Sequence, residues 1–415
     1  MSRILDVWYL NSKAGELMQD KSGRLLFAYD ADYLTSTQPW PISISMPLRP
    51  EEFGDRITRS YFSGLLPDEE ARKRMARLLR VSESNPFSLL EIVGGECAGA
   101  LSLYPEGMGP HEENAEDAYI LNEQQMDDLF GELRRRPLLA GDKGVRLSLA
   151  GAQDKIAVRV VEGKLALMFG GAPTTHILKT LIGREDVRDS VHNELFCLML
   201  AARCGLDVPR AEIRHTATEP FLLIERYDRR WEGNRVTRLH QEDFCQALSI
   251  APENKYQSEG GPSIASCLDL IQQQSVAPLP DRVSFLTILI FNYLIGNADA
   301  HGKNFSFLYE QGKPRLAPAY DLLSTAVYPD LDSKMSMKIG GKYEPGDVRL
   351  HHWHSLVPDT ATARKNLENI LSEMSLVVLR EAEDLKVNLK KEGMESPVFE
   401  DIIAIIKQRK ARVLS

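Results

Sequence analysis

The chain has 415 residues, a formal net charge of −9, and 43% hydrophobic and 26% charged residues. This length exceeds one small core and predicts two or three subdomains. The acidic balance gives no general drive toward nucleic acid, though it leaves room for local basic patches. The five cysteines, Cys97, Cys197, Cys204, Cys245 and Cys267, show no CxxC spacing. That argues against a disulfide framework and a zinc site, and it suits a reducing cytoplasm.

The opening "MSRILDVWYLNSKAGEL" has no apolar h-region of signal-peptide type. Residues 1–50 read as β-rich, with the short runs "ILDVWYL", "GELMQD" and "GRLLFAYD" separated by turn-like "NSKAG" and "DKSG". From Tyr61 the pattern changes. "LLPDEEARKRMARLLRV" places a proline, then acids, then bases, which predicts a helix of matching polarity. "ECAGALSLYPEG" reads as one more strand, and the polar, turn-rich "EGMGPHEENAEDA" as a linker over 105–118. The runs "KIAVRVVEG" and "KLALMFG" form a hairpin through "EGK", and "THILKT" is a third strand. "VRDSVHNELFCLMLAARCG" carries helical spacing, with Val191, Leu195, Leu198, Ala201 and Ala202 on one face and Gly205 at the C-cap. "FLLIERYD" is another strand, and helices dominate from Gln241 onward. The most apolar run, Val283 to Ile295, is too short to span a bilayer and reads as a buried helix. The expectation is a soluble, cytoplasmic protein with no membrane partner.

Directly behind that apolar run stands "GNADAHGKNFS", residues 296–306. Asp299 and Asn304 are five apart, with His301 and Lys303 between them. Asp321 follows the strand-like "FSFLYE" in "APAYDLLS". Two carboxylates and a carboxamide suit a hard cation such as Mg²⁺, which takes oxygen ligands from protein, phosphate and water. A lysine alongside suits phosphate charge, and the set is the toolkit of phosphoryl transfer. The Asp-to-Asn spacing is that of the protein-kinase catalytic loop. The duller reading is that Asn297 and Asp299 cap a helix end and Asn304 fills a turn.

Other stretches bear on a nucleotide. "RLSLAGAQDKIAVRV" offers small residues, Ser148 to Gln153, through which backbone N–H groups can approach phosphate, or simply a loop before a strand. It matches neither GxGxxG nor the Walker pattern. Lys179 ends a strand, where it reaches solvent or pairs with phosphates. Glu194 lies on the apolar face of its helix and calls for a partner, Lys179 being the natural one. "FLLIERYDR" turns abruptly from apolar to polar, as a nucleotide hinge or as an edge strand with surface charges. "HHWH" at 351–354 is not read as a metal site, because consecutive histidines at a helix start cannot all face one ion.

Taken together and in this order, "SLAGAQDK", "HILK", "NELFC", "ERYDR", "HQEDFCQALS", "NADAHGKNFS" and "PAYDLLST" resemble the HipA family, bacterial toxin serine/threonine kinases of type II toxin–antitoxin modules. "YFSGLLPDEEARKRM" and "NPFSLLEIVGGECAGAL" resemble that family's N-terminal subdomain, so the likeness spans nearly the whole chain. The resemblance implies an α+β, protein-kinase-like bilobal fold. It would have a β-rich N-terminal subdomain over 1–110, a β-rich nucleotide lobe over 111–228 and a helical catalytic lobe over 229–415.

The resemblance further implies ATP and Mg²⁺ as cofactors, with Asp299 as the catalytic aspartate and Asn304 and Asp321 as metal ligands. Lys179 would be the ATP lysine. Ala150, Gly151, Ala152, Gln153, Asp154 and Lys155 would form the phosphate loop, and Glu225, Arg226 and Tyr227 the hinge. His301, Gly302, Lys303 and Tyr320 would complete the nucleotide contacts. Ser148 matches the family's self-phosphorylated serine, where a dianion beside the loop would repel ATP and silence the kinase. The implied partners are an aminoacyl-tRNA synthetase as substrate, glutamyl in the founding case, and a HipB-like helix-turn-helix antitoxin through which operator DNA is reached. The chain departs from eukaryotic kinases in lacking GxGxxG, in reading DAHGKN for HRDLKxxN and in replacing DFG by "YDL". Two rival readings stand beside it: a small-molecule kinase of the antibiotic-phosphotransferase type, and a catalytically weak corepressor scaffold for the antitoxin.

Overall fold

The computed structural model describes residues 2–110, 117–140, 146–150, 153–233 and 235–413. They belong to two compact units, each described by itself. The first comprises Met1–Thr180, Arg214–Asn254 and Ser306–Pro314. The second comprises Leu181–Ile213, Lys255–Phe305 and Arg315–Ser415. Both helices and sheets are abundant, as an α+β fold requires.

The first unit begins with a four-stranded antiparallel sheet in the order Leu25–Tyr29, Ser12–Gln19, Arg3–Tyr9, Leu101–Pro105. Each predicted N-terminal run is a strand, but most of "NSKAG" is strand as well. The turn itself is made where Leu10 takes φ 54. Gly15 is needed because a Cβ there would lie 2.2 Å from the carbonyl oxygen of Ala28 on the neighbouring strand. The alternation buries Leu5, Val7, Leu17 and Phe27 against Phe53, Phe62 and Phe87. Helices Asp55–Gly64, Glu69–Leu79 and Pro86–Val93 supply the other side of this core. The predicted basic helix is thus real. It starts after Asp68 and ends at Arg80 in left-handed conformation.

Five further strands of this unit run in the order Ala118–Ile120, Lys164–Met168, Lys155–Val161, His176–Lys179, Pro220–Glu225. The predicted hairpin is there. Glu162 and Gly163 both have positive φ, 49 and 79, as a two-residue turn matched to strand twist demands. Helix Glu123–Arg135, which sequence periodicity did not bring out, opens with a reciprocal Asn122/Gln125 capping box. Its Met126, Leu129, Phe130 and Leu133 share a core with Ile156, Val158 and Phe221. Residues 111–116 of the predicted linker lie outside the described residues.

The first unit also holds a buried polar cluster. Glu242, on strand His240–Asp243, accepts from Ser43 Oγ at 2.5 Å, from Ile44 N at 2.8 Å and from the Tyr309 hydroxyl. Burial pushes its carboxyl up from 4.5 to about 7, against those hydrogen bonds. Burial pushes neighbouring His240 down to about 4. A carboxyl raised on folding gives stability that is full below its unfolded value and lost as pH climbs through the folded one. Glu242→Gln removes that loss. Urea midpoints should therefore show the variant gaining on wild type by about 1 kcal/mol per pH unit between pH 5 and 7. A constant difference would show that Glu242 is not proton-linked.

The second unit is mainly helical, built on Ser190–Arg203, Ile264–Gln274, Pro278–Ile295, Ala361–Lys391 and Val398–Val413. In Ser190–Arg203 the predicted face holds for Val191, Leu195, Leu198 and Ala201, while Ala202 faces solvent in the last turn. Phe196 stacks on Phe399 with centroids 4.8 Å apart. Gly205, at φ 84, and the bond from Leu206 N to Ala201 O (3.0 Å) close the helix as expected. The apolar run forms the buried second half of Pro278–Ile295. Among the described residues, no helix is long and apolar enough to cross a membrane.

Candidate active site

The second unit carries the "NADAHGKN" loop, and its position follows from how the preceding helix ends. Gly296 takes φ 76, and a Cβ there would meet Ala326 Cβ and Ile405 Cγ2 at 2.7 Å each. Only glycine fits both the backbone and the space. The chain then turns sharply. Asn297 Nδ2 donates to Asn292 Oδ1 at 2.8 Å, and Asn297 Oδ1 accepts from Asp299 N at 3.0 Å. Asn297 closes the helix end through its backbone, N–H to Asn292 O at 2.9 Å, while its side chain serves the turn rather than a helix carbonyl. The Asp299 carboxylate instead accepts from the Tyr256 hydroxyl at 2.8 Å.

Bonds on both sides of Asp299 fix its backbone. Ala298 N donates to Thr325 Oγ1 at 2.8 Å, and Ala298 O accepts from Ser336 N and Oγ at 2.9 and 2.7 Å. Asn304 Nδ2 donates to Asp299 O at 3.1 Å, which fixes which end of its carboxamide is the oxygen. The intervening His301, Gly302 and Lys303 are buried, and His301 lies edge-on to Tyr256 at 5.3 Å.

The second motif is tied to the first. The Tyr320 hydroxyl donates to Lys303 O at 2.7 Å, and Asn297 Nδ2 reaches Asp321 O at 3.4 Å. Asp321 has φ 57. A non-glycine residue held in left-handed conformation costs about 1 kcal/mol and persists where its surroundings impose it, often at functional sites. One hydrogen-bonded web thus gathers Asp299, Asn304, Tyr320 and Asp321. Its donor set for a cation, a carboxylate and an oriented carboxamide, is all oxygen and fits Mg²⁺.

The first unit carries the other half of the predicted residues. Gly151 and Ala152 lie outside the described residues. At the start of the loop Ser148 is fully buried, its hydroxyl donating to Leu65 O at 2.6 Å. Ala150 O accepts from Lys155 Nζ at 2.6 Å, and Gln153 Nε2 donates to Thr180 O at 2.7 Å. The Asp154 carboxylate pairs with Arg74. Strand register sets Lys155 directly opposite Lys179, on one face of the sheet, with Lys179 buried. Like charges at facing positions are unfavourable unless an anion is shared between them. The register thus brings two positive side chains together at the start of strand Lys155–Val161.

At the predicted hinge, Glu225 ends its strand exposed, and the Tyr227 hydroxyl bonds the Gln241 carboxamide. The polar turn is not a charged surface. Arg226 is buried and donates to Asp228, to Thr174 Oγ1 at 2.9 Å and, through N, to Thr175 O at 2.9 Å. Asp228 and Glu96 are buried with it. Burial opposes ionisation of Glu96, yet the guanidiniums of Arg229, Arg226 and Arg238 hold its carboxyl below the ordinary range. Arg226 therefore anchors the hinge, with its side chain and N–H already engaged. Glu194 is buried in helix Ser190–Arg203, in the unit that does not contain Lys179. Elsewhere, Trp353 of "HHWH" is buried against Tyr293, and His354 bonds Glu368 at 2.8 Å.

Sequence reasoning missed Tyr256, which holds the Asp299 carboxylate, and Thr325 and Ser336, which hold the backbone of Ala298 just before it. Thr325 closes the quoted "PAYDLLST", but its role could not be read from that motif, and Tyr256 and Ser336 belong to no spacing pattern.

With this geometry in place, the comparisons with known proteins are specific. A family model described as the HipA-like C-terminal domain matches residues 147–381, and one described as the HipA N-terminal domain matches residues 5–104. A Sinorhizobium fredii protein named as a kinase is 43% identical over 390 residues, 92% of each chain. The serine/threonine-protein kinase toxin HipA of Shewanella oneidensis is 30% identical over 366 residues, 82% of this chain and 80% of the relative. Among solved structures, the Shewanella oneidensis complex of HipA, HipB and operator DNA contains a chain that superposes with TM-score 0.82 and 25% identity. That match covers 99% of this chain and 96% of the other.

Proposed function

The chain belongs to the HipA family of kinases, and on that premise we propose that it is a toxin serine/threonine-protein kinase of a toxin–antitoxin module. It moves the γ-phosphate of ATP to a serine or threonine of a translation protein, an aminoacyl-tRNA synthetase. A HipB-like antitoxin restrains it and links it to operator DNA, a reading supported by the HipA, HipB and DNA complex that its fold matches. A cytoplasmic location goes with this reading, as does the division into an N-terminal subdomain over 1–110, a nucleotide lobe over 111–228 and a helical lobe over 229–415.

The observation that carries the proposal is the Asp299 carboxylate, oriented by Tyr256 on a backbone pinned by Asn304, in one web with Asp321. Asp299 accepts a hydrogen bond from the acceptor hydroxyl and aims its oxygen at the γ-phosphorus. Asn304 and Asp321 would hold Mg²⁺, which when bound neutralises charge on the phosphates. Lys179 and Lys155 attract and orient the phosphate chain, and the loop at Ala150–Lys155 offers it backbone N–H groups. At the hinge, Glu225 and Tyr227 present backbone to the adenine, with Arg226 as the anchor between them.

The test is to incubate the protein with Mg–ATP, a panel of aminoacyl-tRNA synthetases and, separately, a panel of aminoglycoside alcohols. Phosphate on a synthetase serine or threonine is the expected result. Phosphate on the alcohols alone would replace this reading by the small-molecule kinase.

Ser148 is the proposed site of self-silencing. A phosphate cannot be accommodated where the hydroxyl is fully buried on Leu65 O, so modification must expel the segment from its described position. Activity of the wild type should accordingly decline during preincubation with Mg–ATP, while Ser148→Ala holds its initial rate. Equal decline in both would remove Ser148 from the regulatory role.

A further inference from the structure

We infer that the N-terminal region grips both ends of the phosphate loop, and that Arg74 is a positioning residue for the phosphates of ATP. This deepens the kinase reading and rests on it. All residues concerned lie in the first unit.

The entering end of the loop is paired as a strand. Glu96 N donates to Arg146 O at 2.7 Å, and Ser148 N donates to Glu96 O at 2.9 Å, a parallel bridge centred on Leu147. Arg146 Nη2 adds bonds to Glu91 O at 3.0 Å and Leu103 O at 2.9 Å. Gly95 allows this approach, since a Cβ there would lie 2.6 Å from Arg146 Cβ. The Ser148 hydroxyl sits on Leu65 O.

The leaving end is held by charge. Arg74, on helix Glu69–Leu79, meets the Asp154 carboxylate with both terminal nitrogens, Nη1 at 3.3 Å from Oδ2 and Nη2 on Oδ1. Nη1 also donates to Arg134 O at 3.1 Å. Beyond Asp154, its backbone oxygen accepts from Thr180 N at 3.3 Å, and Gln153 Nε2 binds Thr180 O. Thr180 directly follows Lys179, so the contacts run from Arg74 through Asp154 to the ATP lysine.

The chemistry gives Arg74 two effects on one ligand. A carboxylate in a phosphate loop repels a polyanion, and a guanidinium paired with both of its oxygens cancels that repulsion and fixes the loop's exit. The plainer alternative is a partly exposed ion pair, with side chains 32% and 18% accessible, and such pairs commonly contribute little to stability. The two differ in what they predict. A stability pair moves the melting temperature and all ligands alike, whereas a positioning pair discriminates ligands by phosphate.

The experiment measures Mg–ATP and adenosine affinity by calorimetry, with melting temperatures, for wild type, Arg74→Gln and the charge-exchanged double variant Arg74→Asp/Asp154→Arg. Arg74→Gln should weaken Mg–ATP about ten-fold and leave adenosine within about two-fold, and the exchanged pair should recover most of the loss. Wild-type Mg–ATP affinity in Arg74→Gln, or parallel loss of both ligands, overturns the inference and leaves the kinase reading standing. A wild type that fails to bind Mg–ATP overturns both.

Discussion

Asp299→Asn should lower phosphoryl transfer about 10³-fold while leaving Mg–ATP affinity within about two-fold. The carboxamide is isosteric and keeps an oxygen for the Tyr256 hydroxyl, 2.8 Å away. The loop's backbone bonds, from Asn304 Nδ2 and to Asn297 Oδ1, do not involve the altered atoms. What is lost is the second acceptor oxygen with its charge, the group proposed to orient the acceptor hydroxyl and take up its proton. The effect belongs to the transition state and should appear in kcat, read from initial rates against ATP concentration with affinity measured by calorimetry. A variant within ten-fold of wild type would remove Asp299 from the catalytic role.

Asp321→Ala should act on a different quantity. It removes one of two proposed metal ligands, so Mg–ATP affinity should fall by more than ten-fold, while metal-free adenosine binding stays near wild type. Asp321 holds φ 57, a conformation alanine adopts less readily than aspartate. Backbone strain in the alanine variant therefore adds to any loss of metal binding, and Asp321→Gly separates the two. Glycine relieves the backbone strain and should melt higher than the alanine variant by about 1 kcal/mol of stability, yet bind Mg–ATP equally poorly. Recovery of Mg–ATP binding in the glycine variant would assign the effect to backbone strain and count against a metal role.

The elements legible in the sequence were those whose cause is local. Alternation over Arg3–Tyr9, Leu25–Tyr29 and Lys155–Val161 and helical spacing over Ser190–Arg203 follow from periodicity, and the turn at Glu162–Gly163 from two residues. The pairing within the "NADAHGKN" loop was legible for the same reason, since Asp299 and Asn304 are joined by a hydrogen bond spanning five residues. Contacts over longer separations left no trace. Tyr256 reaches Asp299 across 43 residues, and Arg74 reaches Asp154 across 80. Nothing in "NKYQ" or "EEARKRMARLL" distinguishes those side chains from their neighbours. For the charged "ERYDR" the sequence left a hinge and an edge strand with surface charges both open, because sequence shows charge but not partners. Arg226, Asp228 and Glu96 are buried together, 130 residues separating Arg226 from Glu96. Helix Glu123–Arg135 was hidden by its polar majority, only Met126, Leu129, Phe130 and Leu133 being buried.

The central claim is that this chain transfers phosphate from ATP to a protein hydroxyl through Asp299. The most direct measurement is peptide mass spectrometry after wild type and Asp299→Asn are each incubated with Mg–ATP and a mixture of aminoacyl-tRNA synthetases. The account predicts phosphate on serine or threonine in the wild-type reaction, at Ser148 and on one synthetase, and none in the variant reaction. No phosphate from the wild type, or equal phosphate from both, would contradict it.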